Sequence, residues 1–539
     1  MVAAPMAAKR RFERFAFHLW ITLACLLALA VRVPLLDRPL DRDEGLYAYM
    51  AQRMHRGEVP YRDVFSDKPP VGFGLYWLFF RLFGETVPGA HVGGAAWCAL
   101  STVLLGLLAR RLGGEAIGAA AALFYAVGCA DPGVQGSSVN LEILLTPFAL
   151  TACLIAARER QTVQAMIACG ALLALAGLTK QQAIGHAAFA LLLVLGCGTW
   201  KGVMNKLGRI LWVIAGGILV LGLTLGLFAA LGALPHFLDG VLWYNLNAYV
   251  RREPPARAFA NLTRTLQDLF AANPVLYACI AVGLASIVRR DRRSSTLLLV
   301  AWWALNAAAA AIGFRFYRHY FLLARPAECG LAALGAVQIT EWMRRRPSPW
   351  SGPLVATLLA LTPLPLNSGY FFTASDEEFV EQLYGPEIFA WSDELAAEMA
   401  ARSRPDQAIY VSGSEPQIYF LARRRCAGRY AFIHPLTTAS RDVQVRVREA
   451  LASLRAEQPP VILVVVVPMS TLLDPRLPPY YERAFAEFVR GRYQPELALV
   501  RGPDGRHLIR GDTASPLRLT RAQTKACDAL LMVRMSPAR

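Results

Sequence analysis

The stretch DRDEGLYAYM (Asp41–Met50) follows an apolar run long enough to cross a bilayer, and SDKPP (Ser66–Pro70) comes soon after it. Hydrocarbon does not tolerate Asp43, Glu44, Asp67 and Lys68, and a plain connecting loop has no need of them. The fold therefore turns on which side of a membrane these groups face and what chemistry lies there. Several further runs of roughly 18 to 22 apolar residues punctuate the first two thirds of the chain and read as transmembrane helices. Over 539 residues, 55% are apolar and only 18% charged, where a soluble chain carries nearer ~25% charged. The chain reads as a polytopic α-helical membrane protein with about eleven transmembrane helices. With no apolar stretch followed by a cleavage site at the N-terminus, the first helix is expected to stay as a signal anchor.

The spans are expected near 16–36, 89–109, 115–131, 141–157, 163–179, 183–199, 210–232, 274–288, 296–313, 321–340 and 351–368. The basic runs KRRFER, RR (110–111), RER (158–160), KGVMNKLGR (201–209), RRDRR (289–293) and RRR (344–346) then fall in alternate loops. That places them on the cytoplasmic side, with the C-terminus outside. This distribution also accounts for the net charge of +17, from 56 Lys+Arg against 39 Asp+Glu, without nucleic acid as a partner. Two domains are expected: a transmembrane domain over 1–368 and an extracytoplasmic α/β domain over 369–539. In the second, QAIYVSG, PPVILVVVV and ELALVRGPDG read as strands, with DELAAEMAARS and VQVRVREALASLRAEQ as helices. SGSEP (412–416) reads as a strand-to-helix loop with a Ser cap. Eight of the ten cysteines lie in or beside apolar runs; Cys426 and Cys527 do not, and a disulfide between them is left open.

The outer loops carry the chemistry. The first, about 37–88, and the fourth, about 233–273, are long and expected to hold amphipathic helices lying on the membrane, GLYAYMAQRM (45–54) among them. Asp43 and Glu44 are adjacent, so on a helix they point about 100° apart and serve different purposes; either could instead start the helix as a cap. Asp67 and Lys68 precede a Pro-Pro turn and read plainly as a local salt bridge. Asn140 and Glu142 sit at the mouth of a helix, Asn140 with the character of an N-cap. Lys180, Arg251, Arg252, Arg315 and Arg318 are outer-side cations, and FRFYRHY gathers Arg315, Arg318, His319 and Tyr320. The plain reading of that run is an interfacial aromatic-basic belt. Carboxylates beside cations that match phosphate suggest transfer chemistry on a lipid-linked phosphate. A transporter could hold the same residues.

The first outer loop, DRDEGLYAYMAQRM…GEVPYRDVFSDKPPVGFGLYWLFFRLFG, resembles that of the GT-C membrane glycosyltransferases, specifically the family 39-like group of protein O-mannosyltransferases and the lipid A aminoarabinose transferase. The resemblance continues in SSVNLEILLTPFAL, GLTKQQA and FRFYRHYFLLARPAECGLAAL, over most of 40–340. It implies an inverting transfer from a polyprenyl-phosphate-linked sugar donor to a lipid, glycan or protein acceptor, in a cleft between the outer loops and the helix bundle of an inner (plasma) membrane protein. Asp43 then matches the catalytic base, with Glu44 its structural or acceptor-orienting neighbour. Lys68 matches the Lys of the KPP element near the donor phosphate, and Lys180, Arg318, His319 and Tyr320 match polar positions lining the cavity. Tyr47, Asp67, Asn140, Glu142 and Arg315 complete the expected substrate-binding set. Asp67 stands where relatives often have Glu, which leaves its role open. Metal dependence varies in the superfamily, so a divalent metal is compatible, although the sequence holds no His-rich ligand set. The rival classes are a lipid-linked-sugar transporter or flippase and a non-catalytic glycan-assembly subunit. The absence of an inverted repeat and the presence of both Asp43 and Lys68 count against them.

Overall fold

The computed structural model describes residues 3–196, 203–249, 253–343, 348–474, 477–511 and 517–535. Arg251, Arg252, Lys201 and Arg344 to Arg346 lie outside the described residues. The chain forms two compact units. The first comprises Met1–Arg38, Lys68–Leu227 and Arg252–Thr373; the second comprises Pro39–Asp67, Phe228–Arg251 and Ala374–Arg539.

The first unit is helical. Among the described residues, Arg11–Leu35, Val87–Gly113 and Asn205–Ala230 are long and apolar enough to cross a membrane. Pro255–Ala272 and Pro274–Val288 form a pair bent by 95°. The bend falls where Asn273 caps the second helix, its side chain accepting from the Leu276 N–H (3.1 Å), and where Pro274 cannot donate a backbone hydrogen bond. Shorter apolar helices include Glu115–Gly128, Leu141–Ala156, Val163–Thr179 and Gln181–Gly196. Apolar sequence makes these helices buryable, and glycine lets them approach. A Cβ on Gly283 would lie 2.0 Å from the Leu331 carbonyl oxygen, and one on Gly335 would lie 2.0 Å from that of Cys279. The helices Pro274–Leu284 and Arg325–Met343 therefore touch backbone to backbone at a small-residue seam. Elsewhere large rings fill the space: Phe189 stacks on Trp302 with centroids 4.9 Å apart.

The second unit is built on a five-stranded sheet of order β1-β2-β5-β3-β4. Its strands are β1 (Tyr410–Ser412), β2 (Val461–Val465), β3 (Tyr493–Gly502), β4 (Gly505–Arg510) and β5 (Cys527–Arg534). Only β1 and β2 run parallel; the other neighbours are antiparallel. The three segments read as strands from sequence are β1, β2 and β3, and the two helical segments are Ser392–Ala401 and Val443–Glu457. The strands β4 and β5 escaped the sequence reading: β4 is a short, charged hairpin return, and β5 follows the five-residue helix Arg521–Lys525 near the end of the chain.

Two expectations are corrected here, and the open question of two cysteines is answered. The helix Arg42–His55 does not lie on a membrane by one face, because Glu44 through Arg53 are all buried. Gly45 backs directly onto Gln417, whose backbone nitrogen a Cβ would approach to 2.6 Å. SGSEP has no Ser cap: the helix Gln417–Ala422 starts at Pro416 without a side-chain cap. Cys426 and Cys527 are free thiols; Cys426 is buried and donates to the Tyr430 carbonyl (3.4 Å), while Cys527 donates to that of Ala529 (3.3 Å). Side chains of Pro39–Asp67 and Phe228–Arg251 also pack within this unit. Tyr61 packs edge-on against Phe228 and Phe237, Phe65 meets Tyr244 and Tyr430, and Arg446 donates to Asp239 (2.7 Å).

Gly335→Ala is expected to destabilise the protein by roughly 1–3 kcal/mol, the usual cost of overpacking a close contact. Gly352→Ala, where the nearest atom would be Val337 at 3.5 Å, should leave stability unchanged or slightly raised. Thermal unfolding of the two purified variants, read by intrinsic fluorescence, checks both.

Candidate functional site

The expected site residues fall in both units, and each group is built on its own framework. In the first unit, the loop at 129–140 is fastened along its length by buried donors. Arg32 donates to the Cys129 carbonyl (2.8 Å), Tyr370 to that of Ala130 (3.0 Å), and Tyr76 to that of Val139 (3.0 Å). Asp131, fully buried, accepts from the Gly133 N–H (2.7 Å) and from Asn273 Nδ2 (3.0 Å). The fully buried Arg325 faces the same carboxylate's field and pairs with Glu328 one turn along its helix (3.3 Å). The sequence reading missed Asp131, Arg325 and Glu328. The signal lay in ARPAE, two opposite charges at i and i+3 inside an otherwise apolar helix.

That fastened loop delivers Asn140 and Glu142 to the start of the helix Leu141–Ala156. Asn140 occupies the cap position but its side chain makes no cap bond. Both its amide atoms are buried without a hydrogen-bond partner. Glu142 is wholly buried; its Oε1 accepts from Lys180 Nζ, and its Oε2 has no partner. Lys180 comes from a chain break: Val163–Thr179 ends at Lys180, whose backbone is extended, before a 3-10 turn at Gln181–Ala183 and the next helix. Its ammonium sits 4.4 Å above the centre of the Tyr320 ring, a cation–π contact that adds to the ion pair. Tyr320 in turn meets His319 edge-on at 4.9 Å, and His319 Nδ1 bonds Gln135 Oε1 at 3.0 Å. Glu142, Lys180, Tyr320, His319 and Gln135 thus form one connected polar group. Arg318 pairs through Nε with Asp268 at 2.9 Å. Arg315 belongs to an irregular segment in which Phe314 and Phe316 both take positive φ. Asn261 and Thr265 hold this segment by donating to the Arg315 and Phe316 carbonyls (3.2 and 2.7 Å). Lys68 is half-buried at the start of the unit, just before the helix Val71–Phe83.

In the second unit, the acids divide by role. Asp41 is the N-cap of Arg42–His55, accepting from the Glu44 N–H at 2.8 Å. Neither Asp43 nor Glu44 is needed as the cap. Asp43 is half-exposed, whereas Glu44 and Tyr47 are buried. Asp67 is buried, and its carbonyl accepts from Asn245 Nδ2 (2.7 Å). The first turn of this helix is held by a cluster that the sequence reading did not single out. Arg42 Nη2 reaches Glu387 (3.1 Å) and Glu415 (3.3 Å), while its Nε donates to the Ser414 carbonyl (2.7 Å). Ser470 donates to the other oxygen of Glu415 (2.8 Å), and Tyr384 donates to Asp41 (3.1 Å). Two buried carboxylates share one guanidinium, so one of them is poorly compensated. Burial pushes the Glu415 carboxyl up to about 7, and burial likewise raises Glu387. Among the described residues, no three His, Cys, Asp or Glu side chains gather as a metal site would need.

Residues 67–228 match the model of the dolichyl-phosphate-mannose-protein mannosyltransferase family. The fold is similar to that of ArnT from Cupriavidus metallidurans bound to undecaprenyl phosphate. That match has 17% identity and a TM-score of 0.56, over 93% of this chain and 99% of that one. The apo state of the same protein matches at 18% identity and a TM-score of 0.53, over 91% and 97%. No curated protein matches the chain.

Two outcomes follow from the charge pairs. Glu142→Gln and Lys180→Met should each cost on the order of 3–5 kcal/mol by leaving a buried charge unpaired. The double variant should recover most of that loss in a thermal-unfolding cycle. The second outcome concerns pH. The folded chain holds the Glu415 proton to about pH 7, whereas a free Glu gives it up near 4.5. Stability from this group is therefore full below pH 4.5, falls as pH rises to 7, and is level above. The drop should be on the order of 3 kcal/mol. Unfolding temperatures measured from pH 4.5 to 8 should show this slope in the wild type, reduced in Glu415→Gln.

Proposed function

We propose that this chain, a glycosyltransferase of the GT-C fold, moves a sugar from a polyprenyl-phosphate donor to an acceptor hydroxyl or phosphate, with inversion. The observation that carries the reading is the connected group around Glu142 and Lys180. It holds buried polar atoms, both amide atoms of Asn140 and Glu142 Oε2, that no protein group satisfies. Buried polar atoms left unpaired are costly and call for a partner, and a sugar-phosphate supplies both donors and acceptors. In the reaction, Asp43 takes the proton from the acceptor O–H. The acceptor oxygen bonds to the anomeric carbon as the bond from that carbon to the phosphate oxygen breaks. The electron pair leaves with polyprenyl phosphate. Lys68, with Arg318 and His319, stabilises the charge that develops there. Arg318 suits this task because its planar guanidinium fork matches phosphate oxygens. Asp43 suits its own because Asp41 performs the capping.

The topology we propose has eleven crossings in an inner membrane, with the N-terminus cytoplasmic and 369–539 extracytoplasmic. Its support is the alternation of basic loops together with the three long apolar helices. Undecaprenyl phosphate, which the ArnT structure contains, models the lipid product, and the acceptor is a lipid, glycan or protein on the outer side.

Purified protein in nanodiscs, supplied with radiolabelled polyprenyl-phosphate sugars from membrane extracts, tests the proposal. Asp43→Asn should lose roughly 10²- to 10⁴-fold in transfer rate, the usual contribution of a general base, while keeping its unfolding temperature and donor binding. Lys68→Ala should weaken transfer as well. Full transfer by Asp43→Asn would remove Asp43 as the base. Label that crosses a sealed membrane unchanged would make the protein a transporter.

A further inference from the structure

A charged recess lies in the first unit, and none of the site residues assigned above is among its lining residues. Its volume is about 550 Å³, and its lining includes Arg110, Arg111 and Arg158 together with Leu107, Leu154 and Ile155. Arg110 and Arg111 occupy the last turn of Val87–Gly113, and Arg158 follows the end of Leu141–Ala156. The first of these helices has 27 residues, about 40 Å at 1.5 Å per residue, against a hydrocarbon core of ~30 Å. Its arginine end therefore reaches headgroup level.

Local interactions account for part of this charge. Arg110 pairs with Glu115 at 3.2 Å and lies 4.6 Å over the Phe17 ring. Arg111 donates to the Leu154 carbonyl near the end of its helix, where the helix dipole favours a cation. No described carboxylate pairs with Arg111 or with Arg158, and Glu159, the nearest acid in sequence, is exposed. Three guanidiniums thus share one recess with a single carboxylate among their partners, leaving about two positive charges beside an aliphatic wall. Repulsion among like charges in one recess is relieved by a shared anion, and the wall suits a glycerol and acyl chain better than water.

We propose that this recess binds the headgroup of an anionic glycerophospholipid, with a two-phosphate headgroup such as that of cardiolipin as the best charge match. Guanidinium forks take the phosphodiester oxygens, and Leu107, Leu154 and Ile155 flank the start of the acyl chains. Basic pockets between transmembrane helices are a general way of holding such lipids. The site is independent of the transfer reaction.

Native mass spectrometry of the purified full-length protein, titrated with cardiolipin or phosphatidylcholine, tests it. Cardiolipin adducts should survive at least tenfold better than phosphatidylcholine adducts. Arg111→Gln with Arg158→Gln should reduce cardiolipin retention fivefold or more, and Arg111→Lys with Arg158→Lys should keep most of it. Asp43→Asn should retain cardiolipin as the wild type does. Equal retention of the two lipids by the wild type would overturn the proposal whether or not the variants fold. So would undiminished cardiolipin in the Gln variant, or displacement of cardiolipin by inorganic phosphate at equal phosphate concentration, which would identify a free-phosphate site.

Discussion

One guanidinium sets the position of the proposed base. Arg42 is bound by Glu387, by Glu415 and by the Ser414 carbonyl, so the first turn of Arg42–His55 cannot rotate without breaking a buried charge network. The neighbouring cap, Asp41, is itself fixed by Tyr384. Asp43 therefore projects from a turn whose backbone is held on both sides by groups other than its own. A general base gains from a fixed position, and Arg42 and Asp41 supply that fixing from adjacent residues of one short motif. The cost is a buried carboxyl at Glu415, raised chiefly by burial and further by the neighbouring Glu387.

The helical unit solves the same problem differently. Glu142 and Lys180 arrive from a helix start and a helix break, and their ion pair closes the two ends on each other. Irregular backbone between apolar helices is tolerated where side chains compensate for it. Here Tyr320 covers the ammonium, and the loop preceding Asn140 is held by Arg32, Tyr370 and Tyr76 through its carbonyls. Only after these anchors are in place do Asn140 and Glu142 Oε2 stand buried with nothing from the protein to satisfy them.

Much of this was legible in the sequence, for identifiable reasons. Helices such as Leu141–Ala156 and Val163–Thr179 announce themselves by continuous apolar runs, and the break at TKQQ by polar residues that interrupt one. The strand β2 was readable because VILVVVV is too short to span and too apolar to be exposed. What stayed hidden depends on contacts distant in sequence. GLYAYMAQRM carries helical spacing that suits a membrane surface and a buried helix equally, and only Gln417, Tyr419 and Phe420 decide between them. Glu415 looked like part of a loop because its partners lie 373, 28 and 55 residues away. Ion-pair partners such as Asp268 for Arg318 leave no trace in local pattern.

The division of the chain also bears on how the second unit is built. Its sheet comes wholly from the last third of the chain, yet its interior includes Tyr49, Phe65 and Tyr244 from two earlier loops. The Tyr49 hydroxyl accepts from the Cys426 backbone (2.8 Å), and Asp239 receives Arg446. Residues 374–539 alone would expose these apolar rings' partners and leave Arg446 a buried cation without its carboxylate. The loop carrying Asp43 is thus a structural part of the C-terminal unit. A change in the packing of this unit therefore reaches the helix that carries Asp43 through Gly45 and Arg42.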